Sequence, residues 1–227
     1  MSWLINSSIG RKLVMSVTGL ALILFLTFHM SMNLVALFSG EAYNKVCEFL
    51  GANWYALVAT VGLAALFVVH IVYSFILTIQ NRKARGNDRY GVTTRPKGVE
   101  WASQNMLVLG IIVILGLGLH LFNFWANMQF VEITNGSVNI PNVEGPHDGY
   151  GLIRYTFANP VFVVLYLVWL VALWFHMNHG FWSSLQTIGW NNTVWFKRLQ
   201  RISFVYTTLV VLGFAVVVVW FYICRGC

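Results

Sequence analysis

The residues best equipped for chemistry in this chain are its six histidines. His29, His70, His120 and His176 each fall inside a long apolar run that carries no Asp, Glu, Lys or Arg in its middle. His179 lies one helical turn beyond His176, and His147 lies in a polar segment between the third and fourth runs. An ionisable side chain within an apolar run of membrane length is costly, so each of these imidazoles needs a partner or a ligand. Imidazole is the commonest metal ligand in proteins, and the hydrogen bond made by one ring nitrogen decides which other nitrogen is free to coordinate.

The elements that must position them follow from composition. The 227 residues are 58% hydrophobic and 9% charged, with a mean hydropathy of +0.70. Soluble domains carry about 25% charged and about 45–50% apolar residues. This composition excludes an ordinary soluble enzyme, a disordered tail and a nucleic-acid-binding module. A bilayer-crossing helix needs about 20 mostly apolar residues. Five such runs are present, at about 13–38, 54–80, 102–127, 158–184 and 204–223. The predicted fold is an all-α integral membrane protein, a single transmembrane domain of five helices. The first run is too long for the apolar core of a secretory signal, and no small-residue cleavage pattern follows it.

The net charge of +7 reads as topology. Eleven of the fourteen basic residues fall on one side: Arg11 and Lys12, then Arg82, Lys83, Arg85, Arg89, Arg95 and Lys97, then Lys197, Arg198 and Arg201. Lys45, Arg154 and Arg225 fall on the other, with Glu41, Glu48, Glu132, Glu144 and Asp148. The positive-inside rule then predicts a cytoplasmic N-terminus and an external C-terminus, as in a multi-pass protein of a bacterial inner membrane. The outer segment between the third and fourth runs holds Asn135-Gly136, Pro141, Gly145-Pro146 and Gly149. These turn residues predict a compact ordered loop with a short hairpin.

Depth sorts the histidines. His29 and His120 lie about 16 and 18 residues into spans running outward, which places both in the outer half at about 1.5 Å per residue. His70 and His176 lie as far into spans running inward, so both fall in the inner half. Two pairs at two levels, each drawn from two helices, are what two bis-histidine haems require. A single membrane histidine can be a packing residue, but four at matched depths resist that reading. A zinc or copper site would gather its ligands at one depth, with carboxylate or thiolate help. Gly19 and Gly110 each precede an outer histidine by ten residues, and a small residue lets a flat macrocycle or a backbone approach closely. The pairs of spans 1–2 and 3–4 thus form a loose repeat.

Other residues carry weaker signals. Glu48, and less so Glu41, is a candidate proton acceptor for a quinol beside the outer haem. His179 is a candidate partner for an inner haem propionate, or the alternative ligand to His176. Arg11, Lys12, Arg89, Arg95 and Lys97 are topology determinants that could also meet propionates or a partner subunit. Cys224 and Cys227 form a C-x-x-C with no following histidine, which excludes covalent haem attachment. Trp54, Trp101, Trp125, Trp182 and Trp190 fit interfacial belts. No dinucleotide, P-loop, HExxH or hydrolase motif is present, so chemistry on a water-soluble substrate falls to another subunit.

The run from Phe175 to Ser183, including His176, Asn178 and His179, with Gly189-Trp190 and Arg201-Ile202-Ser203, resembles the fourth-helix signature of the cytochrome b subunit of succinate dehydrogenase and fumarate reductase. The resemblance is to the di-haem, single-polypeptide, five-helix class. It extends to Phe28-His29-Met30 with Asn33, to Glu41-Ala42-Tyr43-Asn44, to Val69-His70-Ile71-Val72-Tyr73 and to Leu119-His120. It implies a complex with a flavoprotein subunit and an iron–sulfur subunit, and exchange of electrons with menaquinone in the lipid bilayer. It implies that His70 and His176 hold the haem nearer the iron–sulfur subunit, and that His29 and His120 hold the distal haem. Glu48 is the nearest match to a loop glutamate that serves the quinol in some members. Trp174 stands where some members carry a proton-transfer glutamate. Competing readings are a di-haem anchor of a hydrogenase or nitrate reductase, a haem-free proton-coupled transporter, and a structural anchor without haem.

Overall fold

The computed structural model describes residues 7–85, 101–190 and 192–224. Five long helices dominate it: α1 (Ser8–Leu34), α3 (Trp54–Arg85), α4 (Trp101–Asn123), α7 (Pro160–Thr187) and α8 (Trp195–Ile223). Three short helices, α2 (Gly40–Phe49), α5 (Gln129–Ile133) and α6 (Gly149–Ala158), fill the connections at one end, and the described residues contain no strand. All five long helices are long and apolar enough to cross a membrane. A helix of about 20 residues already spans the hydrocarbon core. The chain is therefore an all-helical, multi-pass membrane protein.

Local chemistry sets the helix starts. Ser7 Oγ accepts from Gly10 N at 2.9 Å at the start of α1. Ser39 Oγ accepts from Ala42 N at 3.1 Å at the start of α2. Asn159 Oδ1 accepts from Val161 N at 2.9 Å, and Pro160, which has no N–H to satisfy, opens α7. At the termini next to the basic loops the helices overrun the apolar windows, whereas at the other end α1 stops at Leu34 and α4 at Asn123, short of the predicted 38 and 127. α8 begins at Trp195, well before the predicted 204, because its basic first turns stay helical: Leu199 is buried and the Arg198 guanidinium lies 5.5 Å from the Trp195 ring centroid. Hydropathy marks where lipid-like residues begin, not where backbone hydrogen bonding begins.

The predicted hairpin is not formed. Asn135-Gly136 instead closes α5. Asn135 takes a left-handed φ of 52°, Asn135 N donates to Glu132 O at 3.3 Å and Gly136 N donates to Val131 O at 2.9 Å. That is a Schellman cap, so the same dipeptide ends a helix where a hairpin was expected.

α7 is the central helix. It buries Val163, Tyr166, Leu170 and Leu173 in a cluster with Val211, Val217, Val218 and Phe221 of α8. α1 packs on α3, α7 and α8, and α4 packs on α7. A Cβ at Gly116 of α4 would collide with Trp169 of α7, and Trp169 Nε1 donates to Val113 O at 3.1 Å. α3 and α4 make no comparable contact with each other. Four of the five long helices thus form two pairs, α1/α3 and α4/α7, joined along α1 and α7, and α8 packs on α7 and α1.

One end is capped. Asn44 Nδ2 of α2 donates to Asp148 Oδ1 at 2.8 Å, and Tyr150 N of α6 donates to Asn44 Oδ1 at 2.9 Å. α5 clamps the α2–α3 turn: Gln129 Nε2 donates to Gly51 O at 3.0 Å and Ala52 N donates to Glu132 Oε2 at 2.8 Å. The up-and-down connectivity brings Lys12, Arg82, Lys83, Lys197, Arg198 and Arg201 to the opposite, basic end. Arg89, Arg95, Lys97, Arg225 and Cys227 lie outside the described residues.

Candidate functional site

The four span histidines meet in two pairs across the two halves of the bundle. His29 of α1 faces His120 of α4 with ring centroids 5.7 Å apart and ring planes at 83°. His70 of α3 faces His176 of α7 with centroids 6.2 Å apart and planes at 70°. These are the pairs that span direction and depth imply. All four line one cavity of about 1750 Å³, well above the roughly 300–1,000 Å³ of an ordinary small-molecule site. No group of three or more His, Cys, Asp or Glu residues suited to a bare metal ion is present among the described residues.

The residues around the pairs fit two bis-imidazole haems on four counts. The ring separations of 5.7 and 6.2 Å would leave room for a metal bonded at about 2.0 Å to each imidazole. Thr18 Oγ1 lies 2.8 Å from Val14 O and 3.2 Å from His70 Nδ1. The hydroxyl hydrogen is directed at the carbonyl, so Oγ1 accepts from His70 Nδ1–H and leaves the Nε2 lone pair for a metal. His176 Nδ1 is buried with no hydrogen-bond partner among the described residues, as expected of an atom whose surroundings are completed by something other than protein. Finally, Gly19 and Gly110 both line the cavity at this pair. A Cβ at Gly19 would stand 3.3 Å from His70 Cε1, and one at Gly110 would stand 3.8 Å from His176 Cε1. Each glycine therefore serves the second histidine of its own helix pair, one level away from the histidine ten residues on.

The other pair is held by rings. His29 stacks on Phe25 at 5.4 Å and lies 5.8 Å from Phe214. His120 is bordered by Phe124 at 5.2 Å and Trp169 at 5.8 Å. Two of the sequence motifs join here. Tyr43 OH donates to Asn33 Oδ1 at 3.1 Å, and Asn33 Nδ2 donates to His29 O at 2.8 Å. Its approach to His29 Nε2 is a stretched 3.5 Å.

The remaining candidates separate. His179 lines the cavity and packs edge-on against Trp182 at 4.8 Å. Lys12, Asn81 and Gln186 line it at the basic end. Glu48 is exposed on α2 and is not among the cavity-lining residues. Glu41 forms an exposed 2.7 Å ion pair with Lys45. Trp174 turns toward α8, where its Nε1 donates to Thr208 Oγ1 at 3.0 Å. Cys47 lines the cavity, but burial pushes its thiol up to about 11, so it is protonated at neutral pH.

The carboxylate that does line the cavity is Glu132, beside Thr60, Trp125 and Gln129. Gln129 Oε1 accepts from Thr60 Oγ1 at 2.9 Å and from Trp125 Nε1 at 3.0 Å. Glu132 Oε1 lies 3.3 Å from His147 Nε2. Sequence reasoning missed this cluster. His120, Phe124, Met128 and Glu132 all line the cavity, but α4 ends at Asn123 and α5 begins at Gln129, so no single helical period marked Glu132 in the sequence.

No protein-family model, curated protein or solved structure matches the chain.

Proposed function

We propose that the chain is the di-haem cytochrome b membrane anchor of a succinate:quinone oxidoreductase, of the succinate dehydrogenase and fumarate reductase type. It would transfer electrons between an iron–sulfur subunit and menaquinone in the inner membrane of a bacterium, with a flavoprotein subunit carrying the succinate and fumarate chemistry. The observation that carries the reading is the meeting of His29 with His120 and of His70 with His176, at near-equal ring separations, along one cavity. The motif resemblance around His29, His70, His120 and His176 supports the choice of enzyme.

His29 and His120 would hold one haem, and His70 and His176 the other, and haems so held supply reversible one-electron chemistry at two depths. The protein's part is positional. Thr18 fixes the tautomer and aim of His70, while Phe25, Phe214, Phe124 and Trp169 fix the orientation of His29 and His120 by contact. The basic end would face the cytoplasm and the partner subunits, with the C-terminus outside.

The test is purification of the full chain from its native membranes, followed by addition of succinate. The account expects co-purified flavin and iron–sulfur protein, and haem absorbance that succinate reduces. Two haems that ignore succinate would assign the cytochrome to another quinone-linked enzyme, such as a hydrogenase or nitrate reductase. A folded chain without haem would reject the reading.

A further inference from the structure

At the capped end a carboxylate and an imidazole bridge the cavity to the surface. Glu132 lines the cavity, and His147, which touches it at 3.3 Å, is the more exposed partner, 40% accessible against 25%. His120, of the outer histidine pair, and Phe124 and Met128 line the same cavity as this carboxylate. Thr60, Trp125 and Gln129 line the same end.

We propose that Glu132 and His147 form a proton relay between the capped end of the cavity and the water outside, serving a quinol bound beneath them. The proposal rests on the quinone reading above. A quinol that gives two electrons, one at a time, to acceptors of the haem class also sheds two protons and becomes a quinone. Each proton passes to a Glu132 oxygen, then to His147 Nε2, then to water; the return reaction runs the same path inward. A carboxylate and an imidazole can each accept a proton and pass it on. The other titratable groups near this end are engaged elsewhere. Asp148 accepts from Asn44 Nδ2, Tyr43 donates to Asn33, and the Cys47 thiol stays protonated.

Glu132 also anchors the α2–α3 turn through Ala52 N, and the test must separate the two roles. Glu132→Gln keeps an oxygen acceptor for that N–H and removes the carboxylate that would take up the proton. Reduction of the full-length haem-loaded chain by 2,3-dimethyl-1,4-naphthoquinol is expected to slow about 100-fold or more in Glu132→Gln, to recover in large part in Glu132→Asp, and to be unchanged in Glu144→Gln. His147→Asn is expected to slow it less, with added imidazole restoring the rate. A second readout needs no haem. A water-soluble carbodiimide with an added amine converts an accessible carboxyl to an amide, which peptide mass mapping detects. Labelling of Glu132 is expected, slowed severalfold by 2,3-dimethyl-1,4-naphthoquinone. A Glu132→Gln protein with wild-type kinetics, or a Glu132 that is unlabelled or not protected by the quinone, would overturn the relay. Loss of haem from the wild-type chain would instead strike the reading it rests on.

Discussion

His29 and His120 sit among rings, with Phe25, Phe214, Phe124 and Trp169 all within 6 Å centroid to centroid. His70 and His176 sit among small and hydroxyl-bearing groups: Thr18 bonds the one, and Gly19 and Gly110 leave room beside both. The first pair is held by shape, the second by one directional bond and a cleared floor. Shape-based restraint is spread over many contacts of which each contributes little. A directional hydrogen bond concentrates restraint in one atom. The two pairs should therefore fail in different ways when their surroundings are changed.

The largest expected effect comes from the ligands themselves. His29→Ala or His120→Ala should remove one haem and leave the other. His70→Ala or His176→Ala should do the converse, as counted by pyridine haemochrome. Retention of both haems in any of these variants would break the pairing. Next is Thr18→Val, which deletes the acceptor for His70 Nδ1 at nearly constant volume. Haem affinity at that pair should fall about 10–100-fold, measured by haem transfer to an apo-acceptor, and Thr18→Ser should preserve it. An unaffected Thr18→Val protein would remove the contrast between the two pairs.

A smaller effect separates the glycines. Gly19→Ala places a methyl 3.3 Å from His70 Cε1, whereas Gly110→Ala meets His176 Cε1 at an ordinary 3.8 Å. Gly19→Ala should thus shift the haem spectrum or potential of the His70 pair, and Gly110→Ala should not. Smallest is Phe25→Leu, which removes one stacked ring from His29. Its cost should be about 0.5–1.5 kcal/mol of haem-binding free energy, read from the same transfer assay.

The histidine pairing was legible because two simple quantities fix it. Basic loops give each span a direction, and residue count gives each histidine a depth. The glycines were legible as small residues but not as to whom they serve. Gly19 belongs to His70, not to His29 ten residues on, and that follows only from the packing of α1 against α3. The short helices α2 and α6 escaped because their residues are mixed, and their stability comes from the Asn44–Asp148 clasp, a contact across 104 positions. Glu132 escaped because it is one of five carboxylates that fall on the same side of the predicted spans. It reaches the cavity only because α5 folds back onto the α2–α3 turn. Glu48, favoured by its place before the second span, is exposed on α2 and away from the cavity lining.

The central claim is that four histidines hold two haems, and the most direct measurement is haem stoichiometry. A reduced-minus-oxidised absorption spectrum of the purified chain, with haem counted against protein by pyridine haemochrome, should give about two b-type haems per chain, falling to about one in His29→Ala and in His70→Ala. A well-folded chain with no haem, or with haem content indifferent to both substitutions, would contradict it.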